Sequence, residues 1–308
     1  MNQNVLQTRN ITKRYGKIAA VDNVSMAIQK GDIYGLIGRN GAGKTTLMRM
    51  ITALTFPNDG ELELFGQTSE KGLNQSRRRM GSVVETPALY PNLTAKQNLE
   101  YYRILRGIPN KKAVYDALEA VNLTDTSNKK FKHFSLGMKQ RLGLALALIS
   151  NPDFIILDEP TNGLDPMGIV EMREMIKTLK NERGITFMVS SHILSELSLI
   201  ATRYGIIHDG KLIKELTEAE LYEQCQRCLS ITVDDTTKAT TVLETVLNTK
   251  KYKVINNNEI RLYDYFDNTS EVTFQLNANG VRVSAIGEIG DNLEDYFVSL
   301  IEEVNLSA

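Results

Sequence analysis

The 308-residue sequence predicts an α/β fold: a mainly parallel core sheet, an antiparallel β portion, a helical subdomain and a small C-terminal α+β domain. Three observations carry that prediction. Ile33-Tyr34-Gly35-Leu36-Ile37 is an apolar strand that runs into a glycine-rich turn and then a helical stretch, Thr46 to Ile51. Phe154-Ile155-Ile156-Leu157 is a second apolar strand, and it ends in two acids, Asp158 and Glu159. Residues 152–215 alternate strand and helix, the pattern of a buried parallel sheet.

Residues 1–80 read as short strands separated by turn signals at Tyr15-Gly16, Gly31-Asp32, Pro57-Asn58-Asp59-Gly60 and Phe65-Gly66. Such punctuation predicts an antiparallel portion around the first core helix. Within it, Gly38-Arg39-Asn40-Gly41-Ala42-Gly43-Lys44-Thr45, followed by Thr46, is a P-loop in its strand-to-helix setting. A triphosphate needs donors without bulky side chains between backbone and ligand. The glycines let successive N–H groups turn inward, and the helix adds its N-terminal dipole. Lys44 is placed for the β- and γ-phosphates and Thr45 for Mg²⁺.

Residues 87–150 turn helical. Leu93-Thr94 opens a helix through Arg106, Gly107 and Pro109 break it, and Asn110 to Val121 make another. A third starts at Ser135, a good N-cap. The strand at Phe154–Glu159 then returns the chain to the sheet. Its carboxyl end should open on the ligand crevice, with Asp158 toward Mg²⁺ and Glu159 as general base for the attacking water. His192 follows Ile185-Thr186-Phe187-Met188-Val189 at another strand end. His208-Asp209-Gly210 reads as a tight hairpin turn.

After Leu216 the character shifts. Ile231-Thr232-Val233, a helix from Lys238 to Leu247, Tyr252–Ile255, Glu259–Leu262, Val281-Arg282-Val283 and a final amphipathic helix from Leu293 to Ile301 predict the α+β domain. The expected boundaries are 1–217 for the nucleotide-binding domain, with its helical subdomain at about 87–150, and 218–308 for the accessory domain. Cys225 and Cys228 have C-x-x-C spacing, but no second pair or histidines complete a zinc site. Both are expected on one helix.

Taken together, these residues resemble the nucleotide-binding subunit of an ATP-binding-cassette (ABC) transporter, over residues 5–215 and without a gap. The resemblance implies ATP and Mg²⁺ as ligands. It also assigns adenine stacking to Tyr15, γ-phosphate contact from the opposite subunit to Ser135 and Gly137, dimer signalling to Asp165, and a switch role to His192. Tyr15 also reads as a strand-end aromatic, and Asp165 as the N-cap of a helix opened by Pro166.

Two departures narrow the resemblance. Glu85, in Gly81-Ser82-Val83-Val84-Glu85-Thr86-Pro87, stands where the family usually has Gln, and Leu136 and Met138 replace Gly and Gln in the signature. With Ala88 to Thr94 they are similar to the bacitracin and lantibiotic resistance branch. That implies export of a peptide antibiotic or similar amphipathic compound. A carboxylate at 85 is a charged metal ligand with no donor, so Glu85 is a candidate catalytic and Mg²⁺ residue; it also reads as a surface acid.

With 36 Lys and Arg against 37 Asp and Glu, the net charge of −1 gives no basic excess for nucleic acid. The start, Met1-Asn2-Gln3-Asn4, has no apolar signal core, and no apolar run approaches the ~18 to 20 residues that span a bilayer. The expected protein is cytoplasmic and peripheral on the inner face of the membrane. Its expected partners are a separate hydrophobic permease and a second copy of itself in an ATP sandwich. A soluble ABC ATPase acting on ribosomes or DNA is the alternative. It is disfavoured by the single cassette and the lack of long heptad insertions. A P-loop phosphotransferase leaves Ser135-Leu136-Gly137 unexplained.

Overall fold

The computed structural model describes residues 4–85, 89–126, 128–225, 228–265, 268–289 and 296–302. Met1, Asn2, Gln3, Thr86, Pro87, Ala88 and Leu293, named above, lie outside them. The chain divides into two units, Met1–Glu218 and Ala219–Ala308.

In the first unit, β1 (Asn4–Tyr15) and β2 (Ile18–Gln29) pair antiparallel. Burial alternates along the second half of β2, which puts Val24, Met26 and Ile28 inward, while register shifts in β1 let both Leu6 and Ile11 be buried. The fully buried run β3 (Ile33–Ile37) leads through the glycine-rich loop into α1 (Lys44–Ile51). Leu47, Met48, Met50 and Ile51 of α1 are all buried, each contributing about 1.5–3 kcal/mol of hydrophobic stabilisation. Strand β4 (Asp59–Leu64) completes a three-stranded antiparallel sheet in the order β2-β1-β4, which shares one core with α1.

The next segment holds α2 (Glu70–Arg77), β5 (Met80–Val83), α3 (Ala95–Leu105), α4 (Lys112–Glu119) and α5 (Leu136–Leu148). Thr94 and Gln97 form a capping box that starts α3, so the helix begins where Thr-x-x-Gln predicts. Ser135 caps α5, whose Leu142–Leu148 stretch is entirely buried. The chain continues through β6 (Phe154–Leu157), α6 (Pro166–Arg183), β7 (Thr186–Ser191), α7 (Leu194–Leu197), β8 (Arg203–His208) and β9 (Lys211–Thr217). A six-stranded sheet results, in the order β5-β6-β7-β3-β8-β9. Five strands are parallel and β9 alone is antiparallel, returned by the predicted Asp209-Gly210 turn with both residues at positive φ. This arrangement makes β6, β7 and β3 direct neighbours. Their carboxyl ends therefore open on one crevice.

The second unit contains α8 (Glu218–Cys225, its first residue in the first unit), β10 (Cys228–Val233), α9 (Thr236–Thr245), β11 (Tyr252–Asn256), β12 (Glu259–Leu262), α10 (Thr269–Ala278) and β13 (Val283–Ile289). Its strands pair antiparallel in the order β11-β12-β10-β13, a split β-α-β-β-α-β arrangement. Leu229, Ile231, Leu243, Ile260, Val272 and Leu276 form its core.

Four expectations change here. The helix expected from Lys238 starts at Thr236, because Asp235 accepts hydrogen bonds from Thr237 N and Lys238 N. The strand expected at Val281–Val283 runs from Val283 to Ile289, and α10 was not anticipated. Cys225 and Cys228 do not share a helix: one ends α8 and the other begins β10. Residues 296–302 are helical, and Tyr296, Phe297, Leu300 and Ile301 are buried. Among the described residues no helix is long and apolar enough to cross a membrane.

Candidate functional site

The glycine-rich loop is shaped by close backbone packing. Gly43 sits at φ 106° as the N-cap of α1, and a Cβ there would strike the Ala20 carbonyl; a Cβ on Gly38 would strike the Ile207 carbonyl. Side chains are excluded at both positions. The β8–β9 turn braces the loop from behind, since Gly210 N donates to Ala42 O at 3.0 Å and Asp22 N to Gly210 O at 2.8 Å. The sequence marked Gly210 only as a turn residue.

A cleft of about 190 Å³ lies over this loop, lined by Asn40, Gly41, Ala42, Gly43, Lys44, Thr45, Thr46 and Glu159 among others. Lys44 is 5% exposed, and its ammonium donates to Gly38 O at 2.6 Å and Arg39 O at 3.3 Å. It also lies 3.1 Å from Glu159 Oε1, close enough for an ion pair but without hydrogen-bond alignment. The other Glu159 oxygen is 2.6 Å from His192 Nδ1, and which atom carries the proton depends on the imidazole tautomer. Glu159 is left-handed at φ 49°, a conformation uncommon for a residue with a side chain. Its backbone N donates to Ser190 Oγ at 2.9 Å.

Asp158 is held on both sides. Thr45 Oγ1 donates to Oδ2 at 2.8 Å and Ser190 Oγ to Oδ1 at 2.6 Å. Thr45 and Asp158 together present hard oxygen donors beside the cleft, the chemistry that suits Mg²⁺. Among the described residues no three His, Cys, Asp or Glu side chains converge on a metal-sized point. That donor set fits an ion completed by phosphate oxygens and water rather than one caged by protein. Ser190, two residues before His192, is a structural partner the sequence reading passed over; its place at the end of β7 was the available signal.

Other candidates lie apart from this cluster. Glu85, at φ 63°, pairs with Arg49 of α1 at 3.1 Å. Tyr15 is half-exposed at the end of β1, with Lys13 Nζ 5.3 Å from its ring centroid. The Ser135 hydroxyl accepts from Met138 N at 3.3 Å, and Asp165 Oδ1 from Gly168 N at 3.1 Å, so both act as helix caps here. Gly137 has room: a Cβ there would sit 3.8 Å from Leu164.

Comparison with known proteins agrees with this geometry. The ABC transporter family matches residues 21–162. The chain is 41% identical to bacitracin transport ATP-binding protein BcrA of Enterococcus faecalis, over 96% of each. It is 44% identical to lantibiotic transport ATP-binding protein SrtF of Streptococcus pyogenes, over 68% of this chain and 90% of the relative. Among solved structures, the dimeric post-hydrolysis cassette MJ0796 bound to ADP and Pi matches at 28% identity and a TM-score of 0.62, covering 69% of this chain and 98% of that one.

Proposed function

The chain belongs to the ABC transporter ATP-binding family, and on that premise we propose that it hydrolyses ATP to power a separate membrane permease exporting a peptide antibiotic. The bacitracin and lantibiotic relatives support the cargo class. The observation that carries the chemistry is the double hold on Glu159, between Lys44 and His192.

In this reading the loop N–H groups and Lys44 receive the β- and γ-phosphates of ATP. Lys44 exchanges its loop carbonyls and Glu159 for phosphate oxygens, which frees one Glu159 oxygen. Glu159 then accepts a proton from the attacking water, while His192 orients that water and the γ-phosphate. Thr45 and Asp158 would hold Mg²⁺, which when bound neutralises charge on the phosphates. Glu85 would approach that ion after leaving Arg49. Tyr15 would stack on adenine.

Ser135, Gly137 and Asp165 would act in a second copy's site across an ATP sandwich, and the dimeric state of the related cassette supports the pairing of two copies. The permease would hold the chain against the inner face of the membrane, and residues 218–308 would form an accessory domain outside the phosphate chemistry. Purification from membranes with its permease, followed by ATPase measurement with and without the antibiotic, tests the assignment. Stimulation by a bacitracin- or lantibiotic-type peptide is expected; co-sedimentation with ribosomes and indifference to peptide would contradict it.

A further inference from the structure

Two segments meet at the rear of the candidate site. One is the loop from Glu159 to Asp165; the other runs from His192 into α7. They are joined by two rungs. Glu159 Oε2 meets His192 Nδ1 at 2.6 Å, and Thr161 Oγ1 donates to Glu196 Oε2 at 2.7 Å. The second rung lies two residues further along one segment and four along the other, and both of its side chains are half-buried. Arg173 of α6 lines the same small cavity as Thr161 and Glu196; its Nε is buried without a hydrogen bond and lies 4.0 Å from Glu174 Oε1.

We propose that Thr161 and Glu196 are positioning residues for hydrolysis, locking the loop that carries Glu159 to the segment that carries His192. The proposal rests on the reading of Glu159 as the base. Glu159 sits in the left-handed region at φ 49°, and such a conformation persists only when surrounding contacts over-determine it. Before nucleotide binds, Lys44 and His192 both hold its carboxylate. Once Lys44 turns to the phosphates, the first hold is gone. The Thr161–Glu196 rung, remote from the phosphates, then keeps Glu159 and His192 in register. A displacement near 1 Å at a catalytic group costs on the order of a hundredfold in rate.

The full chain is measured as Thr161→Val, Thr161→Ser, Glu196→Ala and the Thr161→Val/Glu196→Ala double variant, with Glu159→Gln in parallel. Thr161→Val and Glu196→Ala should each lower kcat about tenfold, the equivalent of one lost hydrogen bond, with KM for ATP within about twofold of the parent. Thr161→Ser should restore the rate, and the double variant should be no slower than the slower single. Valine matches threonine in shape, so the Val and Ser pair carries the test if Glu196→Ala does not fold. A parental kcat in Thr161→Val, or losses that multiply in the double variant, would overturn the joint. A parental rate in Glu159→Gln would overturn the base assignment, and the joint with it.

Discussion

Lys44 and Glu159, 115 residues apart in sequence (159 − 44), lie 3.1 Å from each other in the cleft over the glycine-rich loop. The ammonium is nearly enclosed and already spends donors on two loop carbonyls. In the proposed function, nucleotide binding would be an exchange of partners at Lys44: phosphate oxygens would replace the internal acceptors, and the Glu159 carboxylate would be released for the reaction.

Lys44→Ala would remove the cation that the proposed function assigns to the β- and γ-phosphates. Loss of a charge-assisted contact of about 2–3 kcal/mol should weaken ATP binding by tens- to hundredfold, with an unchanged circular dichroism spectrum. Calorimetry checks this. Parental affinity would remove Lys44 from the phosphate site.

Glu85→Gln tests the loop after β5. Arg49 holds this carboxylate in a pair whose side chains are 41% and 55% exposed, so the pair is worth at most about 1 kcal/mol and opens readily. If the carboxylate then reaches the metal, the substitution should shift the Mg²⁺ and Mn²⁺ concentrations that half-saturate ATPase activity. Superimposable titrations of the two proteins would exclude Glu85 from the metal shell.

Tyr34→Phe tests the scaffold apart from the chemistry. Tyr34 is fully buried in β3, and its hydroxyl donates to Glu215 of β9 at 2.8 Å, reaching across β8 over Gly205, which has no room for a Cβ. Burial and the neighbouring Glu215 carboxylate push the phenol well above its usual value, so it stays a donor at neutral pH. Removing the hydroxyl should cost about 1–2 kcal/mol, read as a lower urea midpoint with ATP affinity intact. An unchanged midpoint would show that the cross-sheet bond contributes nothing.

A chain ending at Glu218 should fold and bind ATP, since every residue lining the cleft precedes that point and the contacts divide there. Loss of binding on truncation would show that the first unit depends on the second.

The parallel sheet and the phosphate loop were legible because their signals are local: Ile33–Ile37 and Phe154–Leu157 are uninterrupted apolar runs, each ending in the polar residues that face the crevice. Contacts between distant segments were not. Nothing near Glu85 in the chain announces Arg49, and nothing near Thr161 announces Glu196. In the second unit, α10 was missed because only Val272 and Leu276 of its residues are fully buried while Phe274 is exposed, which leaves little helical periodicity to detect. Strand β13, with Ser284, Ala285 and Gly287 interrupting its apolar positions, gave an equally weak alternation.

Whether Glu159 accepts the proton of the attacking water is decided by phosphate release from Glu159→Gln in Mg²⁺ and ATP, with ATP affinity measured on the same protein. An amide keeps the shape but cannot take the proton. The expected result is affinity at least equal to the parent, since no carboxylate competes for Lys44, with hydrolysis slowed about 10²–10⁴-fold and an ATP-dependent dimer in sedimentation. Phosphate release at the parental rate would remove Glu159 from the role of proton acceptor.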